Sequence, residues 1–319
     1  MAETLEAQLV TVAQAMRDGR VIPFLGAGAN RCGRSDDENW RFGEATHLPD
    51  GRELADDLAQ YFGFPANQAR DLVRVSQYAS VMKGSGPLYQ RLHDVFDVDF
   101  APSPLHALLA RLPAVWREKG SDPPPYQLIV TTNYDDALER AFADAGEPFD
   151  LLSYVAKGPD AGKFLHVPPN GLPRIVKKSN KYPLNLAEWT IILKIHGAVN
   201  RTDRNEDSYV IAEDDYIDFL SKHSIANVIP VMLNDHMQNS HFLFLGYSMR
   251  DWNLRVILRR IWGEQRLDYR SWAIQRDPDP LELEFWPKRN VDIYDVDLAE
   301  YVRLLEDAVA DLPSSSGGR

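Results

Sequence analysis

A chain of 319 residues can bury a large core as one big domain or two of ordinary size, and 44% apolar with 26% charged residues is an ordinary globular composition. The formal charge of −12 runs against a surface built for nucleic acid, which needs clustered Lys and Arg, so direct nucleic-acid binding is not expected. The one cysteine, Cys32, cannot form an internal disulfide and excludes zinc sites built on cysteine pairs; it reads as a buried packing thiol, not a nucleophile. No apolar stretch approaches the roughly 20 residues of a membrane span, and residues 1–6 lack the pattern of a secretory signal, so a cytoplasmic location without membrane contact is expected.

In chain order, Leu5, Leu9, Val12, Ala13 and Met16 recur at helical spacing ahead of a first strand at residues 21–25. Residues 31–49 are polar and irregular and read as a loop. A helix is expected from Asp50 to about Tyr61, and helical pattern continues over 65–100, with Val73, Tyr78 and Met82 on apolar faces. Another helix is expected at 104–116, with Ser103 as cap and Pro104 at its first position. Residues 50–119 thus form a helical module inserted between the first two strands. The second strand, 128–130, leads to a helix over 135–145 with Leu138 and Phe142 facing inward. Residues 150–188, rich in Gly, Pro and Lys, read as loops or short edge strands. A third strand is expected at 190–195, a short one at 209–211, helices at 214–223 and 225–237, and a fourth strand at 242–245. A basic helix at 250–262, strands at 272–274 and 291–294, a closing helix at 298–312 and a flexible tail at 313–319 complete the reading. Without an internal repeat or linker, 1–312 reads as a single domain. The basic runs Arg174, Lys177, Lys178, Lys181 and Arg255, Arg259, Arg260, Arg266 read as a solvated loop and a solvated helix face.

Four of the strands end in small or polar segments: Gly26-Ala27-Gly28-Ala29, Thr131-Thr132-Asn133-Tyr134-Asp135, His196-Gly197 and Gly246-Tyr247-Ser248. Parallel α/β sheets gather ligands at the carboxyl ends of their strands, so the four should converge on one crevice. The pattern predicts an α/β fold with a Rossmann-like parallel sheet flanked by helices, and a nucleotide site. Strand–Gly-x-Gly–helix is a general device for holding a pyrophosphate. Its sharper versions fail here: Gly28 is followed by Ala29-Asn30-Arg31, without the Gly-Lys-Ser/Thr of a P-loop or the third glycine of a dinucleotide fingerprint. Asn133 and Asp135 offer an amide and a carboxylate to a sugar, with helix capping an equal alternative for Asp135. His196 is the natural general base. Gly246 and Ser248 would contact a ribose and Asp251 the following turn, again with capping as the competing role.

Together these segments resemble the sirtuin family of NAD-consuming proteins, over nearly the whole chain. The resemblance implies that Gly26, Ala27, Gly28 and Ala29 cradle the NAD pyrophosphate, that Thr132, Asn133 and Asp135 surround the nicotinamide ribose, and that His196 is the base, with Asn133 orienting water. It places Gly246, Ser248 and Asp251 on the adenosine half. Sirtuin deacylases carry a four-cysteine zinc ribbon, which one cysteine cannot supply, so no zinc ribbon and no metal are expected. Thr-Thr-Asn-Tyr-Asp with Gly-Tyr-Ser-Met-Arg-Asp looks instead like the zinc-free sirtuin-like domains of bacterial anti-phage systems, which deplete NAD. The implied activity is NAD hydrolysis to nicotinamide and ADP-ribose, with an NAD or ADP-ribose sensor, a scaffold subunit or an ADP-ribosyltransferase as alternatives. The implied control is by assembly: a homo-oligomer, or a partner such as a ring-forming translocase-type ATPase or a short argonaute protein. The helical module and the basic helix are the candidate contact surfaces.

Overall fold

Every residue of the run Val21-Ile22-Pro23-Phe24-Leu25 is buried. A strand turns alternate side chains to opposite faces, so such a run requires a sheet covered on both sides. The computed structural model describes residues 3–43, 46–68, 70–177, 182–221, 229–251, 254–255, 257–258 and 269–314. Its strands are β1 (Val21–Leu25), β2 (Leu128–Thr131), β3 (Phe149–Tyr154), β4 (Phe164–Val167), β5 (Arg174–Ile175), β6 (Thr190–Lys194), β7 (Gly197–Ala198), β8 (Ser208–Tyr209), β9 (His241–Leu245), β10 (Ser271–Ile274) and β11 (Val291–Tyr294). Nine of them form one sheet in the order β11-β10-β9-β1-β2-β6-β3-β4-β5, while β7 and β8 pair separately. All neighbours from β11 to β3 are parallel, and β4 and β5 add an antiparallel edge. This is the expected Rossmann-like sheet.

The helices are α1 (Leu5–Arg17), α2 (Gly51–Phe62), α3 (Leu72–Lys83), α4 (Ser85–Phe96), α5 (Pro104–Glu118), α6 (Ala137–Asp144), α7 (Glu213–Ser221), α8 (Val231–Gln238), α9 (Pro280–Phe285) and α10 (Leu298–Asp311). One face of the sheet, with Val21, Leu25, Ile129 and Leu243, packs on residues of α1, α5, α6 and α10. The other face, with Ile22, Phe24, Val130 and Phe244, packs on α7, α8 and the helical residues Leu254, Ile257 and Leu258. Helices α2–α4 build a third core around Leu58, Val75, Leu92 and Phe96, joined by Tyr134 from the loop after β2 and Tyr209 of β8. A reciprocal cap starts α2: Asp50 accepts from the Arg52 and Glu53 amides at 2.9 and 2.8 Å, and Glu53 accepts from the Asp50 amide at 2.8 Å.

The structure departs from the sequence reading in three places. Residues 149–154 form a full interior strand, parallel to β6 and flanked by β4, not a loop or a short edge strand. Met82 is 58% exposed, because α3 turns Val73, Val75, Ser76 and Ala79 inward instead. The short helix α9 is set by an Asp279–Glu282 capping box and a proline at its first position, a signal the sequence contained. Lys178, Lys181, Arg259, Arg260 and Arg266, the expected helical residues 225–228, most of the helix expected at 250–262, and the tail 315–319 lie outside the described residues. Among the described residues, no helix is long and apolar enough to cross a membrane.

Candidate active site

The chain leaves β1 for β2 across one face of the sheet and leaves β9 for β10 across the other, while β1 and β9 are neighbours. Loops that part in this way open a crevice at the strand ends. Here the two loops cross backbone to backbone. A Cβ on Gly26 or Gly28 would meet the Gly246 carbonyl oxygen at 2.7 or 2.8 Å, and one on Gly246 would meet the Ala29 nitrogen at 2.2 Å. Gly246 also has a φ of +71°, a conformation that costs any other L-residue energy. The Gly26 amide donates to the Leu245 carbonyl at 3.0 Å and the Gly28 amide to the Gly246 carbonyl at 2.9 Å. Ala27 and Gly28 reach the wall of the crevice, whereas Gly26 and Ala29 are buried beneath it. The glycines therefore serve first to let two loops touch.

Above this crossing lies a cavity of about 1020 Å³, at the upper end of ligand-pocket sizes. All four strand-end segments contribute to it: Ala27 and Gly28, Thr132 to Asp135, His196, and Gly246 to Ser248, with Asp251 beside them. Thr131 fixes the second segment. Its hydroxyl donates to the Leu25 carbonyl at 3.1 Å and accepts the Asn133 amide at 3.0 Å, while its carbonyl accepts the Ile195 amide at 3.0 Å. One threonine thus ties the ends of β1, β2 and β6 together just before Asn133 and His196.

Asn133 is 8% exposed, and its Nδ2 donates to the Gly26 carbonyl at 3.1 Å. That bond fixes the amide, leaving Oδ1 buried without a protein partner. His196 is 3% exposed, and its Nε2 is likewise buried without a partner. Its Nδ1 lies 3.5 Å from the Tyr216 hydroxyl, and the rings of Tyr216 and Phe219 stand perpendicular to it. Burial alone lowers the imidazole pKa to about 3, so His196 is neutral at ordinary pH. Unsatisfied buried polar atoms are uncommon, and two on one cavity wall mark where a ligand or water completes the structure.

Asp135, expected either beside the ribose or as a helix cap, lines the cavity with both oxygens held by the protein. One oxygen accepts the Ala137 amide at 3.1 Å, starting α6, and the other accepts Asn30 Nδ2 at 2.9 Å. These bonds start α6 and hold Asn30. Asn30, a cavity residue the sequence reading passed over, follows the glycine loop directly. Thr132 shares a hydrogen bond with the Tyr247 hydroxyl. Ser248 is exposed at the rim, and its carbonyl accepts the Asp251 amide at 3.0 Å, the turn expected there. Arg31, Arg52 and Arg276 also border the cavity. Arg31 pairs with Asp50 at 3.2 Å, and Arg276 grips Asp36 through two bonds of 2.9 Å, pinning the 32–43 loop beside the mouth. Cys32 is buried, and burial raises its thiol pKa to about 11, in keeping with packing and not nucleophilicity.

A parallel α/β sheet with a large polar crevice at its switch point defines a nucleotide-binding architecture. The SIR2-like domain model matches residues 127–294, more than half of the sequence, and the chain belongs to the SIR2-like family. It is 25% identical over 280 residues to defense-associated sirtuin 2 of Bacillus subtilis, covering 86% of this chain and 22% of that protein. It is 26% identical over 263 residues to the NAD(+) hydrolase ThsA of Cytobacillus dafuensis, covering 82% of this chain and 42% of that one. The chain thus spans less than half the length of these relatives. A structure solved in work on the mechanism and regulation of Sir2 enzymes aligns over 95% of this chain and 96% of its own, at 12% identity and a TM-score of 0.42.

Proposed function

We propose that this chain hydrolyses NAD to nicotinamide and ADP-ribose and acts as the effector of an anti-phage defence system. The observation that carries this reading is the pair of buried, unpartnered atoms, Asn133 Oδ1 and His196 Nε2, on two residues that line one dinucleotide-sized cavity. In hydrolysis the C1′–N bond breaks and its electron pair leaves with nicotinamide, while an oxocarbenium-like charge develops on the ribose. Asn133 Oδ1 accepts a hydrogen bond from the attacking water and so places it. The water's oxygen bonds to C1′, and His196 Nε2 takes the released proton and passes it to solvent. A base of such low pKa suffices because a water bonding to a cationic carbon becomes strongly acidic. The pyrophosphate lies along Ala27 and Gly28, Thr132 near the nicotinamide ribose, and Gly246, Ser248 and Asp251 beside the adenosine half. Asp135 supports Asn30 from below.

The names of the relatives, a defence-associated sirtuin and an NAD(+) hydrolase, support the reading. Because free hydrolysis of NAD would harm its own cell, activity is held under control by homo-oligomer assembly or by a partner of the ATPase or argonaute kind. The exposed Tyr61, Val81 and Met82 of the helical module offer the apolar contact surface such control needs. Residues 1–312 act as one domain in this reading, in the cytoplasm and without a metal. The test is to incubate the protein with NAD, alone and with candidate partners, and to quantify nicotinamide and ADP-ribose. Product formed by the wild type and lost in Asn133→Ala and His196→Ala is expected. Full activity in both variants would overturn the assignment, and NAD binding without product would select a sensor.

A further inference from the structure

Asn133 and His196 follow the ends of two different strands, so sharing one water requires that the two loops be held against each other. Thr131 joins the strand ends before these residues. Just beyond Asn133, a second side chain joins the loops. Tyr134 is buried, and its hydroxyl donates to the Val210 carbonyl at 2.7 Å. A backbone carbonyl only accepts, so the direction of this bond is fixed. The Val210 amide donates in turn to the His196 carbonyl at 2.9 Å, and the Tyr134 carbonyl accepts the Val199 amide at 2.9 Å.

These bonds close a ring. It runs from Tyr134 through its hydroxyl to Val210, from Val210 to His196, along β7 to Val199, and back to the Tyr134 carbonyl. Val210 directly follows β8, which pairs with β7. The phenol is held in place from behind: its ring packs on Phe96 of α4 with centroids 5.8 Å apart, and stands at 89° to Tyr209 at 5.3 Å. Tyr209 is itself fixed, its carbonyl accepting the Tyr89 hydroxyl at 3.1 Å and its own hydroxyl donating to Asp207 at 3.0 Å. A phenylalanine would fill the same space, so packing does not account for the buried Tyr134 hydroxyl. Its bond across the two loops does.

We propose that Tyr134 is a positioning residue of the hydrolysis: its hydroxyl sets the loop after β2 against the loop after β6, so that Asn133 Oδ1 and His196 Nε2 meet the same water. The inference rests on the reading of that pair as water-placing group and base. Tyr134 forms no bond to the reacting atoms and gives up no proton. It acts through the relative placement of Asn133 and His196.

The test is Tyr134→Phe, which keeps the ring and removes the bond to Val210. Nicotinamide release should show kcat lower by about tenfold, with KM for NAD within about twofold of wild type. Tyr209→Phe removes a buried hydroxyl from the same core but no bond of the ring, and should keep kcat within about twofold. In an Asn133→Ala background, Tyr134→Phe should lower kcat by less than about twofold, because the group it positions is gone. Unchanged kcat in the single variant, or the full loss repeated in that background, overturns the inference. Site-resolved amide exchange needs no turnover. In the wild type the Val199 and Val210 amides should exchange as slowly as those of β6, and in Tyr134→Phe about tenfold faster with β6 unchanged. Fast exchange of both amides in the wild type also overturns the inference, and decides it should Tyr134→Phe not fold. If the wild type fails to cleave NAD, the hydrolase reading falls while exchange still decides whether Tyr134 joins the loops.

Discussion

Replacing His196 by phenylalanine should make the protein's stability less sensitive to acid, by an amount that follows from burial. In the unfolded chain a histidine titrates near 6.5, whereas burial lowers His196 to about 3 in the folded state. Between those values the unfolded chain binds more protons, so stability is complete above about pH 6.5 and is lost as pH falls toward 3. At pH 5.0 the gap of about 1.5 units costs about 2 kcal/mol, at roughly 1.36 kcal/mol per unit. His106, buried and lowered to about 4, costs about 2 kcal/mol at the same pH by the same sign. His47 and His236, also lowered chiefly by burial, act alike in both proteins and cancel. Guanidinium unfolding at pH 7.5 and 5.0 measures the difference. The wild type should lose about 2 kcal/mol more than His196→Phe over that interval, and His106→Phe should show a similar saving. Equal losses in wild type and His196→Phe would refute a buried, neutral His196.

Gly246→Ala forces alanine into a left-handed conformation and drives its Cβ into the Ala29 backbone, opening the Gly28–Gly246 bond. A loss of about 3 kcal/mol or more is expected in chemical unfolding, and a loss below about 1 kcal/mol would show that the crossing adjusts freely. Asn133→Ala should lower nicotinamide release about 100-fold or more. Its unfolding free energy should fall by only about 1 kcal/mol, for the bond to Gly26. Arg276→Ala breaks an exposed, solvent-screened pair, so global stability should be essentially unchanged. Faster hydrogen exchange in residues 32–43 is the expected sign that the Asp36 clasp holds this loop, and unchanged exchange would argue that it does not.

What the sequence disclosed and what it concealed follow one physical division. Strands β1, β2, β6, β9 and β10 stood out because burial on both faces demands uninterrupted apolar residues. Strand β3 did not, because Asp150 and Ser153 interrupt its run; Asp150 is tolerated in the interior only through a 2.7 Å pairing with His166 of β4. The capping half of Asp135 was readable because its partner, the Ala137 amide, lies two residues away. The other half was not, because Asn30 meets it only after the sheet has formed. The glycine loops show the same limit. A strand ending in Gly-x-Gly suggests a phosphate cradle, and nothing local reveals that the space each glycine leaves is taken by another loop's backbone.

Asn133 and His196 were legible as a pair for a reason of topology, not of local sequence. Both follow the ends of central parallel strands, and β2 and β6 are neighbours in register, with Leu128 opposite Ile191 and Thr131 opposite Lys194. Two polar residues just past two such strands must emerge on the same side of the sheet, wherever they lie in the chain. What topology alone leaves undetermined is the direction of each hydrogen-bonding atom. Thr131 and the Gly26 carbonyl settle it for Asn133, and the rings of Tyr216 and Phe219 settle it for His196. None of these supporting groups carries a motif of its own. A substitution at Thr131 should therefore disturb the candidate site through Asn133 while leaving the apolar framework intact, which separates the part of that site built by strand order from the part built by side-chain contacts.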